Sequence, residues 1–460
     1  MKKLLSIFAV FTLLFSLAAC NSAKETSGEK SKEKDSKQEE VTLSYANWNL
    51  GTEEEQNLER LMIKAFEEQY PHIKIEINET VTTKDWNGTL ATAASSGTMP
   101  DLFALPQIPL ALANDWLLDI TELASKDKDF ANISQVVRDS AAYNGKTFAV
   151  PFGQLFLGYF VNKDLFNEAN LDYPEFGTSV EDFVSGVKEV TNLSKGIVGI
   201  NNPAGIVDWY PAAVNSDMGW YTLKDGQYAL DSKEYINGVN LAKELSTNGY
   251  AYDTLTDEQK ANIKGKDGNE VFLQGGLAVK SDGTWTVPDL IEKATFDWDF
   301  IGFPGGVTAL AIDYAGISKT TKHPEEAFLF AKWMSYGKAG SMKRMEIAEK
   351  EGKTLSTLPI NTDQEILDEY FSSLDVPGIR TAYENLDKAI IEPVKMVPGY
   401  IDARWQALTG VKAGDKANAN TGELVNSFIK GELKVEDYAK QLDQLADQKS
   451  AEAQEALKNK

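Results

Sequence analysis

Apolar and polar residues follow one another from residue 41 onward in blocks typical of strand, helix and strand. Val41, Leu43 and Tyr45 alternate with polar residues, as in a half-buried strand. Apolar residues then recur at helical spacing between Leu58 and Phe66, and residues 73–77 alternate again. This order predicts an α/β sheet that is covered by helices.

The same pattern indicates where the next elements begin and end. Thr52 is followed three residues later by Glu55, which resembles a capping box and predicts that the first helix begins there. A second helix is expected over residues 84–96, ended by Gly97, with a third strand over residues 100–105. Ligands of such sheets bind beyond the carboxyl ends of the strands.

The first twenty residues carry an export signal. Two lysines precede an apolar run over residues 4–17 that is too short to span a bilayer comfortably. The string Leu-Ala-Ala-Cys at residues 17–20 resembles a bacterial lipobox, which implies cleavage of residues 1–19 and a lipid on the sulfur of Cys20. We therefore expect a protein anchored to the extracellular face of a bacterial cell membrane. Cys20 is the only cysteine, so no intramolecular disulfide can form.

Composition separates a tether from a globular body. Residues 21–40 contain no aromatic or branched aliphatic residue, so residues 20–40 are predicted to be a lipidated cysteine and a disordered tether. The whole chain is 42% hydrophobic and 10% aromatic, which is typical of a globular protein. Its formal charge of -23 argues against nucleic acid as a ligand, because phosphate recognition needs lysine and arginine.

The chain lacks the catalytic residues that most classes of enzyme need. The chain has only two histidines, so a His-dependent triad or a zinc site with several imidazoles has almost no material. No Gly-x-Ser-x-Gly motif occurs, and the segments that resemble a phosphate loop and a calcium loop lack required residues. We expect neither a metal nor a cofactor. A glycosidase needs only two carboxylates, and 69 acidic residues leave that alternative open.

Five strings along the chain contain a Gly-x-x-Pro-Asp turn, a Gly-Lys-x-Phe crossing, a Phe-Val-Asn-Lys-Asp-Leu-Phe segment, a pair of Phe-x-x-Gly and Gly-x-Trp motifs, and a Pro-Glu-Glu-Ala helix start. They lie at residues 96–103, 143–151, 158–166, 272–285 and 317–333. Together, and in this order, they resemble the extracellular solute-binding proteins of sugar ABC importers, family 1.

The resemblance implies a periplasmic-binding-protein-like fold, with two α/β lobes, a hinge and a ligand cleft between them. Chain crossings are expected near Val150, Ala309 and Leu358. The first lobe would hold residues 41–150 and 311–356, and the second lobe residues 151–310 and 357–460.

The function that the resemblance implies is transport rather than catalysis. The protein would bind a carbohydrate, most simply an oligosaccharide, and deliver it to the membrane permease subunits of an ABC importer. It would act as a lipid-anchored monomer. A secreted glycoside hydrolase and a surface carbohydrate adhesin are the alternatives, since both also bind sugars.

Sugar recognition needs flat apolar rings against the C–H faces of pyranoses. The resemblance places Trp285 and Trp405 in the cleft, and Trp209 and Trp48 are further candidates because each follows a predicted strand. Core packing is the competing interpretation for each of them. It is our expectation for the other tryptophans that lie within helical or strand patterns, Trp86, Trp116, Trp298 and Trp333.

Polar side chains must pair with the sugar hydroxyl groups. Those predicted on cleft-facing loops, where turn capping is the competing interpretation, are Asn49, Gln107, Gln154, Asn202 and Asp282. Arg404, beside Trp405, would either pair with the carboxylate of a uronic acid or form an ordinary salt bridge within the protein.

Overall fold

A computed structural model of the chain describes residues 39–55 and 57–458. The predicted signal peptide at residues 1–19, the lipidated Cys20 and all but the last two residues of the tether lie outside the described residues. Within the described ranges, no helix is long and apolar enough to cross a membrane.

The strands follow the apolar blocks of the sequence. The first two begin at the residues that the alternation predicts, and the third begins two residues later than predicted. The strands of the described residues are β1 (Val41–Ala46), β2 (Ile73–Ile77), β3 (Leu102–Leu105), β4 (Ala142–Tyr143), β5 (Lys146–Thr147), β6 (Val150–Asn162), β7 (Val198–Ile200), β8 (Leu277–Gly283), β9 (Trp298–Phe300), β10 (Ala309–Ile317) and β11 (Ile390–Ile391).

Helices connect these strands and pack against them. They are α1 (Leu58–Gln69), α2 (Trp86–Ser96), α3 (Ile108–Ala113), α4 (Thr121–Lys126), α5 (Gln135–Ser140), α6 (Lys163–Glu168), α7 (Val180–Val190), α8 (Ile206–Val214), α9 (Lys233–Thr247), α10 (Asp257–Lys260), α11 (Gly268–Leu273), α12 (Val287–Lys293), α13 (Pro324–Met334), α14 (Lys338–Lys350), α15 (Gln364–Ser373), α16 (Pro377–Glu384), α17 (Thr421–Ile429) and α18 (Ala439–Leu457).

Helix α1 begins later than its capping-box pattern predicts. The backbone N–H of Thr52 donates to the Glu55 carboxylate at 2.9 Å, which is half of the expected box. Residues 53–55 nevertheless form only an isolated 3-10 turn. The side chain of Asn57 caps α1 instead, accepting from the N–H of Arg60 at 3.1 Å. Asparagine is a stronger N-cap than threonine, so the helix starts at the stronger cap.

Helix α2 ends at the predicted glycine. Gly97 has a φ of 72°, in the left-handed region that glycine adopts without a steric penalty. At the other end, the side chain of Asp85 accepts from the N–H of Gly88 and caps the helix. The cap places the start of α2 within two residues of the predicted start.

A nine-stranded sheet runs through the described residues in the order β2-β1-β3-β10-β6-β8-β7, with β11 beside β10 and β9 beside β6. β1 pairs parallel with both β2 and β3, and β7 pairs parallel with β8. β10 is antiparallel to β3 on one side and to β6 on the other. The two long strands β6 and β10 therefore join two mainly parallel groups of strands into one sheet.

The pairing of β6 with β10 contains an irregularity. Asp313 lies opposite Gly153, but the next residue, Tyr314, lies opposite Pro151, so that Phe152 is left without a partner in the ladder. This is a β-bulge, in which one strand carries an extra residue and bends locally.

Strand β6 is buried on both faces of the sheet. Phe156 and Phe160 point into one hydrophobic core, and Tyr159 and Val161 point into a second core on the opposite face. All four side chains are fully buried. The strand is thus held by packing from both sides, as its nearly continuous apolar sequence requires.

The predicted crossings coincide with features of these long strands. β6 begins at Val150 and β10 begins at Ala309. The backbone N–H of Leu358 donates to the carbonyl oxygen of Gln154 at 2.8 Å, which places the third segment beside β6. The lobe boundaries at residues 41–150 with 311–356 and 151–310 with 357–460 stay a prediction.

Replacing Phe156 with alanine should lower the free energy of unfolding by about 3–5 kcal/mol, because the cavity in the core cannot be refilled. The ring is fully buried and stacks on Phe300 with centroids 6.0 Å apart. Urea denaturation followed by circular dichroism measures the change. Leu408→Ala is the control, since Leu408 is 61% exposed and its loss should cost less than about 0.5 kcal/mol. Equal effects of the two substitutions would contradict the assignment of β6 to the core.

Candidate functional site

A polar groove lies where two parallel strands end together. β7 and β8 are paired from Val198 opposite Leu277 to Ile200 opposite Val279, so their carboxyl ends meet at one edge. The groove there has a volume of about 550 Å³. Its lining residues are Asn201, Asn202, Ala204, Gly205, Asp208, Asp253, Asp267, Gly268, Asn269, Lys280, Ser281, Asp282 and Arg404.

Side-chain amides hold the loops of this groove together. The Asn201 amide bonds both backbone groups of Ser281, donating to its carbonyl at 3.1 Å and accepting from its N–H at 2.9 Å. Asn202 forms a turn by accepting from the N–H of Ala204 at 2.8 Å, and it also donates to the Asp253 carboxylate. Burial raises the pKa of Asp253, although Lys260 and the Asn202 amide favour its charged form.

Arg404 is part of a buried ion pair rather than a free cation. Its guanidinium lies 2.9 Å from an oxygen of Asp208 and 3.7 Å from the centroid of the Tyr221 ring. Burial raises the pKa of Asp208, and the charge of Arg404 opposes that shift. The internal salt bridge, one of the two roles considered for Arg404, is therefore present in the structure.

The Arg404 guanidinium is incompletely satisfied. The residue is only 8% exposed, and its Nε and Nη1 atoms have no hydrogen-bond partner among the described residues. Tyr221 and Tyr400 lie beside it, and neutral rings compensate a buried charge only in part. These two nitrogens carry three N–H groups, which donate no hydrogen bond among the described residues.

Lys280 is a second buried cation of the groove, and it is fully paired. Its ammonium group lies 2.7 Å from the Asp282 carboxylate, and it donates to Asn269 at 2.6 Å and to Thr286 at 3.0 Å. An ammonium group has three donors. All of them are used, so Lys280 holds the groove together and has no donor left for a ligand.

Trp285 and Trp405 are exposed and follow groove residues closely in sequence, but neither lines the groove itself. Trp285 is 50% exposed and follows Asp282 by three positions, while Trp405 is 43% exposed and directly follows Arg404. The indole of Trp285 lies over Gly283 so closely that a Cβ there would be 2.2 Å from a ring carbon. Trp405 meets the ring of Tyr400 edge to face, with centroids 5.6 Å apart.

A second group of predicted residues lies beyond the carboxyl ends of β1 and β3. Trp48 packs edge to face on Trp86, with centroids 5.2 Å apart, and the ammonium group of Lys395 lies 5.6 Å from the Trp48 centroid. Asn49 is exposed, and Gln107 is half-buried at the start of α3 without a side-chain capping bond.

Lys395 is itself paired, with the carboxylate of Asp313 on β10. The nearby Glu392 has its pKa raised by burial, while the charges of Lys395 and Arg404 lower it and those of Asp208 and Asp313 raise it further. The charges of both Lys395 and Arg404 therefore act on Glu392.

Two predicted residues are in the core and do not line the groove. Trp209 is fully buried in α8 and stacks on Phe303 with centroids 5.5 Å apart, and its indole N–H donates to the hydroxyl of Tyr159. Gln154 is also fully buried and donates to the carbonyl of Pro359 at 3.2 Å, which ties β6 to the neighbouring segment. Their positions in the sequence predicted that both residues face the cleft. In the structure their side chains are buried in the packing around the sheet instead.

The groove has charged residues that the sequence reasoning missed. Asp208 immediately precedes Trp209 on α8, and neighbours on a helix face different directions, so the carboxylate lines the groove while the indole is buried. Lys280 precedes Asp282 by two positions on β8, which places both on one side of the strand. The alternation of side chains along β8 was therefore the sequence signal from which Lys280 could have been predicted as a groove residue.

The groove can recognise hydroxyl groups and apolar ring faces. Carboxylates accept hydrogen bonds, side-chain amides both accept and donate them, and exposed indoles offer flat surfaces. Within residues 39–55 and 57–458, no group of three histidine, cysteine, aspartate or glutamate side chains is arranged to hold a metal ion.

Comparison with known proteins identifies a family for more than half of this chain. Residues 51–335 match the model of the family described as bacterial extracellular solute-binding protein. A multiple sugar-binding protein of Streptococcus mutans is 26% identical over 365 residues, which covers 73% of this chain and 78% of that protein.

Solved structures share the fold. An ABC substrate-binding protein from Listeria monocytogenes in complex with cycloalternan superposes with a TM-score of 0.68 at 21% identity, covering 89% of this chain and 99% of that one. A cyclic alpha-maltosyl-1,6-maltose binding protein from Arthrobacter globiformis gives a TM-score of 0.63 at 16% identity, covering 91% and 100%.

These likenesses confirm the predicted periplasmic-binding-protein-like α/β fold. The family and its solved neighbours are substrate-binding proteins rather than enzymes. The family model matches well over half of the residues of this chain. Membership of that family implies an extracellular or periplasmic location. The chain therefore belongs to the bacterial extracellular solute-binding proteins.

Proposed function

We propose that this chain is the lipid-anchored substrate-binding protein of an ABC importer, and that it binds an oligosaccharide and delivers it to the permease. The observation that carries the proposal is a polar groove lined by Asp282 and Arg404, each followed within three residues by an exposed indole, Trp285 or Trp405. Exposed tryptophans next to buried charged groups are unusual on a monomer surface and typical of a ligand site. Relatives named for sugars support the choice of ligand.

The groove supplies the polar half of the proposed recognition. Asn202 and Asp282 line it, as do Asp253 and Arg404. Sugar hydroxyl groups both donate and accept, so one saccharide is able to satisfy the carboxylates and the guanidinium together. Trp285 and Trp405 would stack on pyranose faces, which have flat arrays of C–H bonds.

Trp48, Asn49 and Gln107 would form the opposite wall. They follow β1 and β3, on the far side of β10 and β6 from the groove. A saccharide that touches both walls favours the arrangement in which they are close, by the difference between its affinities for the two forms. The bending would be concentrated in β6, β10 and the segment near Leu358.

The anchor follows from the amino-terminal sequence. Cleavage before Cys20 would leave this residue at the amino terminus with a lipid on its sulfur. The charged residues that follow Cys20 would form the tether of about twenty residues. A tether of this kind raises the local concentration of the binding protein near its permease. The protein would then meet the permease as a monomer.

Trp285→Ala should weaken saccharide binding at least tenfold, equivalent to about 1.4 kcal/mol, because the stacking surface is lost. Trp405→Ala should have a similar effect. Isothermal titration against maltotriose, cellotriose, xylotriose and 1,4-galactotriose measures it, with recovery of unchanged sugar after the titration.

Ile291→Ala is the matched control for these titrations. Ile291 is as exposed as Trp285 and lies on α12, directly after it, so its loss should change affinity less than about twofold. If Trp285→Ala and Ile291→Ala behave alike, the groove edge is not the site. Binding without compaction in small-angle scattering would favour an adhesin over a transport receptor.

Cys20→Ala should release the protein from cells into the medium, because the acyl chains that hold it to the membrane can no longer be attached. Immunoblots of the membrane and medium fractions measure the distribution. Ser27→Ala, within the tether, is the control and should leave the protein with the membrane. A Cys20→Ala protein that stays membrane-bound would contradict lipid anchoring.

A further inference from the structure

Helix α18 makes contacts with both groups of strands of the sheet. Its nineteen residues correspond to a length of about 28 Å, close to the diameter of a small domain. Near its middle it packs on the π-helical turn Asp402–Gln406, which carries Arg404. It also contacts α3, the helix that directly follows β3. α18 therefore reaches from the groove beside β7 and β8 to the group of strands that contains β1 and β3.

The first part of α18 is fixed on the side of β8. Leu442 is fully buried in the same core as the β8 residues. The Asp443 carboxylate accepts from the N–H of Leu230 at 2.7 Å, and the Ser450 hydroxyl donates to the carbonyl oxygen of Gly226 at 3.0 Å. Apolar packing and hydrogen bonds together hold α18 in place as far as Ser450.

The next six residues of α18 have little packing of their own. Of residues 451–456, only Ala453 is half-buried, and the other five are exposed. The Glu452 carboxylate pairs with Lys449 of the same helix, with 2.6 Å between the charged atoms. A groove of about 440 Å³ lies between this part of α18 and Gln406. The helix thus continues for about 9 Å along open solvent after its last fixed residue.

Burial returns at one apolar residue, Leu457, with which α18 ends. Leu457 is 2% exposed and belongs to the same hydrophobic core as Ile108 and Leu112 of α3. Its neighbours Ala456 and Lys458 are exposed. Because α3 follows β3 and α18 is fixed beside β8, this packing joins the two groups of strands at a place separate from β6 and β10.

The contact at Leu457 differs in kind from the connection through β6 and β10. Those strands run continuously between the two groups and remain paired when the sheet bends. Leu457 and α3 are far apart in the sequence and meet only by apolar packing, so their contact breaks when the two groups of strands move apart. Burying one leucine is favourable, but it is a small term beside a complete core. Such a contact forms and breaks without unfolding the rest of the protein.

We propose that Leu457 and the face of α3 that it meets form a latch, which holds the two walls of the proposed site close together without a ligand. The inference rests on the proposed function, because it takes the two walls to close on one saccharide. A latch raises the population of the closed arrangement, so it tightens the binding of every saccharide by the same factor. Residues that touch the sugar change the affinities of different sugars unequally.

Leu457→Ala tests the latch without a ligand. Alanine removes the buried side chain and keeps the helix, since it is the best helix former. In the full chain with Cys20→Ala, this variant should have a larger radius of gyration in small-angle scattering than its parent. Glu455→Ala is the matched control, because Glu455 is exposed in the same turn and faces the side of the helix opposite Leu457. It should leave the radius unchanged.

Saccharide binding gives a second measurement. Whichever of maltotriose, cellotriose, xylotriose and 1,4-galactotriose binds is titrated together with its disaccharide and tetrasaccharide. Leu457→Ala should raise all three dissociation constants by one common factor of about five, because a smaller fraction of the protein is closed. The dissociation rate, followed by tryptophan fluorescence in stopped flow, should rise as well. Glu455→Ala should change neither quantity.

Leu457→Met separates a latch from a general loss of stability. Methionine has nearly the volume of leucine and is tolerated at packed positions, so it should restore the radius of gyration and the affinities. Urea denaturation of Leu457→Ala should show one cooperative transition close to that of Glu455→Ala. A Leu457→Ala protein that fails to fold would make Leu457 part of the permanent core and overturn the latch.

The remaining outcomes distinguish the latch from the function on which it rests. Equal radii of Leu457→Ala and Glu455→Ala overturn the latch and leave sugar binding in place. Affinities that fall for one saccharide but not for the others also overturn it, since Leu457 would then act on the ligand. If no sugar binds to the parent protein, the proposed function fails, and the scattering comparison without a ligand still decides whether Leu457 holds the two walls together.

Discussion

The antiparallel pairing of β6 with β10 is the constraint on which the rest of the structure depends. These two strands are the only bridge in the nine-stranded sheet between β3 on one side and β8 on the other. Because β6 is buried on both faces, its register cannot slip by one residue without exchanging the side chains of two cores. The groove and Trp48 are thereby held in a defined relation.

The site itself is built from strand ends and compensated charge. Parallel β7 and β8 bring Asn201 and Lys280 to one edge, and amides then lock the loops. Buried cations are paired because an isolated charge is costly to remove from water. The pairs serve stability, but they also decide what a ligand meets: a surface of oxygen acceptors with few free donors.

The sequence predicts the architecture better than the chemistry of the site. Periodicity located β1, α2 and β3 because half-buried elements alternate visibly, and the ordered motifs indicated the family. Trp209 and Gln154 were misplaced, since position after a strand does not say which way a side chain points. Asp208 was missed because an acidic residue in a chain with 69 of them carries no local signal; only folding brings it beside Arg404.

The bulge in β6, opposite β10, affects how the sheet can bend. Between Asp313 and Tyr314 the ladder skips Phe152, so a row of inter-strand hydrogen bonds is already interrupted there. Bending the sheet at such a bulge stretches fewer inter-strand hydrogen bonds than bending it along a regular ladder. The bulge adjoins the ion pair of Lys395 with Asp313. The most easily bent part of the sheet therefore lies next to a charged pair whose lysine contacts the ring of Trp48.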